Sequence, residues 1–284
     1  MTISVNSKKK QVKKSFEELL VDLTTSSSEK VRYNAARVLG EMGDSKAVEP
    51  LIDVLRNDKN GSVRLYAARA LGELGDSKAT EYLIESLRED RNVDVRVRAA
   101  RALGRLGGKI VVEPLVEALN DENPQVCITA TDALIEIGDV TTDALIASLT
   151  HEKVNVRCDA TRALGEIGNK KAVDHVIKML YDEWVNVRIY AVTSLGKLND
   201  VKAVPALIEV MKNEKENELV RAGAAAALGV LRDQRALLPL RELIMNAEEL
   251  GELEDTALKS FKKIMAANWQ SIPGASIQKK AATV

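Results

Sequence analysis

Val31-Arg32-Tyr33-Asn34-Ala35-Ala36-Arg37-Val38-Leu39-Gly40-Glu41-Met42-Gly43-Asp44 is the first full copy of a pattern that runs through the chain: Val-Arg-x-x-Ala-Ala-x-Ala-Leu-Gly-x-Leu/Ile-Gly-Asp. It restarts at Val63, Val95, Val126, Val156, Val187 and Val220, at spacings of 32, 32, 31, 30, 31 and 33 residues. A degenerate eighth copy starts at Leu253, with Ala257 and Phe261 in the matching apolar positions. A fixed period of this size marks a solenoid, because each unit buries its apolar face only by stacking on its neighbours.

Each unit reads as two helices. Val31, Ala35, Ala36 and Leu39 fall at helical spacing in the second of them, helix B, which the pattern ends at Gly40 and Gly43-Asp44. Helix A precedes it: Ala47, Leu51, Ile52 and Leu55 recur as Ala79, Leu83, Ile84 and Leu87, and Phe16, Leu19, Leu20 and Leu23 match them at the front of the chain. The fold class is therefore all-α, a right-handed α-solenoid of about eight short helix pairs spanning residues 15–269. The acidic run Glu248-Glu249-Leu250-Gly251-Glu252 lengthens the last connection, and a helix from Leu253 to Ala267 closes the open end of the core.

Composition agrees. Of 284 residues 45% are hydrophobic but only 3% aromatic, so the core is built of Ala, Leu, Val and Ile, the helix-favouring choice, and an all-β fold is excluded. With 41 Lys and Arg against 42 Asp and Glu, the chain lacks the charge of a specific nucleic-acid binder. The ends differ from the body. Residues 1–14 hold Lys8, Lys9, Lys10, Lys13 and Lys14 without an acid, residues 270–284 hold Lys279 and Lys280, and the body between them carries a net −8. Both end segments lack periodicity and are expected to be disordered. No signal peptide and no run of 18 apolar residues occurs, and Cys127 and Cys158 are too few for a disulfide framework, so a monomeric protein of the reducing cytoplasm is expected, with no membrane contact.

Two columns of charge follow the period. An Asp lies five residues before the Val in four units (Asp58, Asp90, Asp121, Asp182), and an Arg follows the Val in six (Arg32, Arg64, Arg96, Arg157, Arg188, Arg221). The Asp is placed to accept N–H groups at the start of helix B, and the Arg to fork onto an Asp of the same or the adjacent unit, which makes the columns a structural ladder.

The Val-Arg-x-x-Ala-Ala-x-Ala-Leu-Gly units, preceded by Ala47-Val48-Glu49-Pro50-Leu51-Ile52, resemble short HEAT repeats of the phycobilisome-lyase type over roughly residues 15–267. The resemblance implies helix A on the convex side and helix B lining a concave groove. Repeats of this kind serve bilin lyases, adaptors, chemotaxis accessory proteins and a di-iron enzyme, deoxyhypusine hydroxylase. That enzyme holds its irons with four His-Glu pairs inside helices, whereas this sequence has one, His151-Glu152, ahead of a helix B. The other histidine, His175, takes the exposed helix-A position held elsewhere by Pro50 and Pro114. Neither cysteine has a partner at zinc-ligand spacing, and no phosphate-binding Gly-rich loop is present, since Gly104, Gly107 and Gly108 serve as helix stops. No cofactor or metal is expected.

Positions two, three and six after the Val are free of core duty and form the candidate surface: Tyr33, Asn34 and Arg37; Leu65, Tyr66 and Arg69; Val97, Arg98 and Arg101. Tyr and Arg dominate binding hot spots. Arg37, Arg69 and Arg162 each have a Glu four residues on (Glu41, Glu73, Glu166), but Arg101 has Arg105, leaving a positive stripe with Arg98. Unit four offers Ile128, Thr129, Asp132 and Glu136, and Trp184 with Tyr190 is expected to pack rather than project. The resulting expectation is a non-catalytic scaffold that grips another protein, through an acidic or extended segment, on the helix-B face of units one to three. A bilin-lyase-like subunit is the alternative, and a deoxyhypusine hydroxylase-type enzyme the remote one.

Overall fold

The computed structural model describes residues 14–246 and 251–269; most of the basic arm, the end of the chain from residue 270 and residues 247–250 of the acidic run lie outside the described residues. The described residues form helices and connecting turns with no strand, and the chain divides after Leu106 into two units. The first holds the pairs α1 (Phe16–Thr25) with α2 (Glu29–Met42), α3 (Val48–Asn57) with α4 (Gly61–Leu74), and α5 (Thr80–Glu89) with α6 (Val93–Leu106). The second holds α7 (Val112–Glu117) with α8 (Pro124–Ile137), α9 (Thr142–Ser148) with α10 (Val154–Ile167), α11 (Val173–Met179) with α12 (Val185–Leu198), α13 (Val204–Lys212) with α14 (Glu218–Leu231), and α15 (Leu237–Asn246) with α16 (Glu252–Trp269). Each unit is a stack of helix pairs, an all-α solenoid.

The Gly-Asp that ends the repeat carries out two successive steps. Gly43 and Gly75 take left-handed φ values of 72° and 69°, which stops helix B. The next residue, Asp44 or Asp76, accepts the N–H of Lys46 or Lys78 at 2.9 Å and caps a one-turn 3₁₀ segment that leads into the following helix A. Leu39, Leu51, Leu71 and Leu83 are buried to 1% exposure or less, and their burial is worth about 1.5–3 kcal/mol each.

The other repeat glycine is not a stop. Gly40, Gly72 and Gly104 lie inside α2, α4 and α6, and all three are buried. A methyl group on Gly72 would stand 2.7 Å from Ala102 Cβ, and one on Gly40 2.7 Å from Ala70 Cβ, so these positions are where consecutive B helices touch backbone to backbone. Gly165 meets Ser194 in the same way in the second unit. In both units the B helices pack on one another far more extensively than the A helices do, which makes the B layer the inner side of each stack.

The ladder ties these layers together, and Arg64 engages an Asp of its own pair and one of the next. Arg64 donates Nε and Nη2 to the two carboxylate oxygens of Asp90 in the next pair, both at 2.7 Å, and Nη1 to the carbonyl of Asp58 in its own pair at 2.9 Å. Arg32 forks onto Asp58 at 2.6 and 3.0 Å, and Arg157 onto Asp182 at 2.8 and 3.0 Å. Arg96 reaches the Asp90 carbonyl at 2.9 Å. The last two arginines depart from the expected Asp partner: Arg188 takes Glu216 at 2.8 Å, and Arg221 takes the Met211 carbonyl at 3.0 Å. Nor does the Asp cap helix B. Asp58, Asp90 and Asp121 each accept the N–H of the Asn two residues on at 2.8 Å, and those asparagines, Asn60, Asn92 and Asn123, accept from the first helical N–H groups. The Asp is oriented from both sides, so its orphan lone pairs are filled by one backbone donor and one guanidinium fork.

Candidate functional site

The surface residues expected on helix B of the first three pairs share one side of the first unit. Tyr33 of α2 and Tyr66 of α4 stack with ring centroids 5.2 Å apart and planes 19° from parallel. Leu65 is half-buried beside Tyr66. Asn34 turns its amide back to the Lys30 carbonyl at 2.8 Å, so its donor is engaged within its own helix.

Three turns of charge follow along the same face. Arg37 bonds Glu41 at 2.6 Å and Arg69 bonds Glu73 at 2.8 Å, each along its own helix. On α6 the pattern breaks, because the Glu position holds Arg105. Arg98, Arg101 and Arg105 enter no ion pair or hydrogen bond with any other described side chain. With Arg69, Glu73, Gly72 and Ala102 they line a pocket of about 180 Å³. Gly72 and Ala102 line it at the point where α4 and α6 meet backbone to backbone.

The B face of the second unit has a different character. A pocket of about 500 Å³ is lined by Cys127, Ile128, Cys158, Asp159, Ile189 and Tyr190 among others, and no Lys or Arg lines it. Burial pushes the Cys158 thiol up to about 11 and raises that of Cys127, aided by Asp159 and Asp121, so neither is a ready nucleophile. Burial likewise raises the Asp159 carboxyl.

The structure departs from the sequence expectation at four residues. Thr129 is buried, its hydroxyl donated to the Gln125 carbonyl at 2.8 Å, so it is no surface contact. Trp184 is 53% exposed rather than packed. Arg162 turns away from Glu166 toward Asp132 of the preceding pair at 3.4 Å, while Glu166 is held by Lys197. His175 is half-buried on α11, not exposed.

Two replacements in the ladder columns, each visible in the sequence, fall on one rung. The ladder rung that would join Arg of α8 to Asp ahead of α10 has Cys127 in place of the Arg and His151 in place of the Asp. The backbone contacts survive: Cys127 Sγ lies 3.3 Å from the Asp121 carbonyl, as an Arg Nη1 would, and His151 Nδ1 accepts the Lys153 N–H at 3.0 Å. His151 thus keeps the backbone half of a ladder Asp's role, without the guanidinium fork. Among the described residues no three His, Cys, Asp or Glu side chains come together as a metal-holding group, and no helix is long and apolar enough to cross a membrane.

This arrangement of stacked pairs agrees with a sequence profile of HEAT repeats, which matches residues 17–92, 80–150, 112–186 and 175–262. The chain belongs to the HEAT-repeat family. No protein of curated function matches this HEAT-repeat chain in sequence. Among solved structures, a Kap121p mutant is similar with a TM-score of 0.66 and 14% identity, over 90% of this chain and 35% of that one. A chain of the CpcE–CpcF complex of phycocyanin lyase from Nostoc sp. PCC7120 gives a TM-score of 0.47 at 24% identity, over 93% of this chain and 100% of that one. Human deoxyhypusine hydroxylase gives 0.41 at 20%, over 88% and 96%. Identities this low speak to the HEAT fold alone.

Proposed function

We propose that this HEAT-repeat protein is a non-catalytic scaffold that binds another protein on the helix-B face of its first three pairs, through an acidic, extended segment of the partner. One observation carries the reading: Arg98, Arg101 and Arg105 have no acidic partner among the described residues, while Arg37 and Arg69, at the repeat position of Arg101, are neutralised by glutamates of their own helices. Three unneutralised guanidinium groups lining one pocket repel one another, a cost that a partner's carboxylates would relieve. The neighbouring Tyr33–Tyr66 stack supplies a rigid apolar platform of the kind found at hot spots.

The test is capture of the native partner from host extract by wild type and by the double variant Arg98→Glu, Arg101→Glu. Charge reversal adds repulsion as well as removing contacts, so capture should fall to background while the thermal transition stays in place. The control reverses Lys46 and Lys78, exposed in the turns that lead into α3 and α5. Retained capture by the groove variant, with loss from the control, would transfer the function to the helix-A side.

A further inference from the structure

The α4–α6 pocket carries more charge than a carboxylate segment needs. Four arginines and one glutamate line it, an excess of three positive charges, and the glutamate is already held by Arg69. Arg101 and Arg105 stand four residues apart on one helix, an arrangement in which like charges repel. A single carboxylate offsets one of these charges. A phosphoryl group brings a charge close to −2 at neutral pH and three acceptor oxygens, which match the forked donors of guanidinium groups.

Size narrows the choice further. About 180 Å³ falls below the roughly 300–1,000 Å³ typical of pockets that enclose a small molecule, so a nucleotide or phosphorylated metabolite would be left largely outside, while a phosphoryl head group fits. The pocket also continues into the groove: Tyr66 lies three residues before Arg69 on α4, one turn along the same face. A chain lying across Tyr33 and Tyr66 would reach the arginines without a change of face.

We propose that Arg98, Arg101 and Arg105, walled by Arg69 beside Gly72 and Ala102, form a seat for one phosphoryl dianion carried on a side chain of the partner segment. This rests on the reading of the B face as the partner surface, and names the chemistry that surface selects. The three unpaired guanidinium groups clasp the phosphoryl oxygens, and the Arg69–Glu73 pair closes one wall.

The experiment follows the Arg Nε–Hε signals of the full chain by NMR during titration with three probes: inorganic phosphate, the tripeptide acetyl-alanyl-phosphoseryl-alanine amide, and its glutamate counterpart. At about pH 7.5 the phosphopeptide should move the signals of Arg98, Arg101 and Arg105, with an affinity about tenfold or more above that of the glutamate peptide. That preference should shrink as pH is lowered to about 5.5, because the second phosphoryl pKa lies near 6 and the dianion becomes a monoanion. In Arg101→Gln with Arg105→Gln the preference should vanish. The pH series on wild type decides the matter even if that variant does not fold. Equal affinity for the two peptides, a phosphopeptide affinity unchanged across that pH range, or binding of neither peptide would overturn the phosphoryl seat. Inorganic phosphate binding as tightly as the phosphopeptide would overturn the partner side chain as its source. Partner capture lost on Arg98→Glu, Arg101→Glu together with equal peptide affinities would leave the scaffold reading standing and remove only the phosphoryl preference.

Discussion

At the scale of single residues, the two sets of arginines in this chain differ in what they hold. The Arg64 and Asp90 side chains are 8% and 7% exposed, while those of Arg37 and Glu41 are 37% and 49% exposed. Arg64→Ala leaves a buried carboxylate without its cation and should cost about 3–5 kcal/mol. Arg37→Ala loses a solvated intrahelical pair and should cost about 0.2–0.5 kcal/mol. Urea melts compare the two, and equal midpoint shifts would contradict this division of faces. The ladder also sets a pH response. Burial pushes the Asp58 and Asp182 carboxyls up, but the Arg32 and Arg157 forks, with a backbone N–H each, outweigh it and hold both below the usual carboxylate range. A carboxyl depressed in the folded state adds stability that is fully present above its unfolded value, near 3.9, and is lost as pH falls through the lower folded value. The melting temperature should therefore hold between about pH 7 and 5 and drop below about pH 4, and Asp58→Asn should flatten that acid limb.

At the scale of the helix, the pairing of B helices rests on positions where no side chain intervenes. Alanine is the better helix former by about 1 kcal/mol, so intrinsic propensity alone favours every glycine-to-alanine change in these elements. Packing reverses that at Gly72, where the new methyl would sit 2.7 Å from Ala102 Cβ and 2.9 Å from its Cα, atoms that do not move without the helix. Gly72→Ala should destabilise by about 1–3 kcal/mol, as overpacking does. At Gly196 the nearest neighbours, Ala227 Cα and Cβ, would be 3.5 Å away, an ordinary contact, so Gly196→Ala should be neutral or stabilising by up to about 1 kcal/mol. Thermal melts showing the same sign for both would mean that backbone approach does not govern these sites.

At the scale of the whole molecule, a formal charge of −1 conceals an acidic body with a basic pocket on one face of its first unit. If that pocket meets an anionic partner, the encounter is electrostatically steered and its rate falls with added salt. Association of the native partner, followed by surface plasmon resonance between about 0.05 and 0.5 M NaCl, should slow by about tenfold or more, mainly in the association phase. A salt-independent rate would place the affinity on the Tyr33–Tyr66 platform instead.

The amino-acid pattern alone sets the period, the two helices per unit, the Ala and Leu core and the two charge columns. All of these follow from residue types at fixed spacing along one helix. It also exposed the break at Arg105, because a missing Glu is visible in a repeat. The packing of one pair on the next was needed to see which acid each ladder Arg grips, that Gly40 and Gly72 join helices rather than end them, and that Arg162 leaves Glu166 for Asp132. It also showed Cys127 and His151 to be two halves of one altered rung. Those outcomes depend on the register of one pair against the next, which brings together residues about thirty positions apart. Local periodicity repeats equally well for every register, and close backbone contacts such as those at Gly40 and Gly72 select one of them.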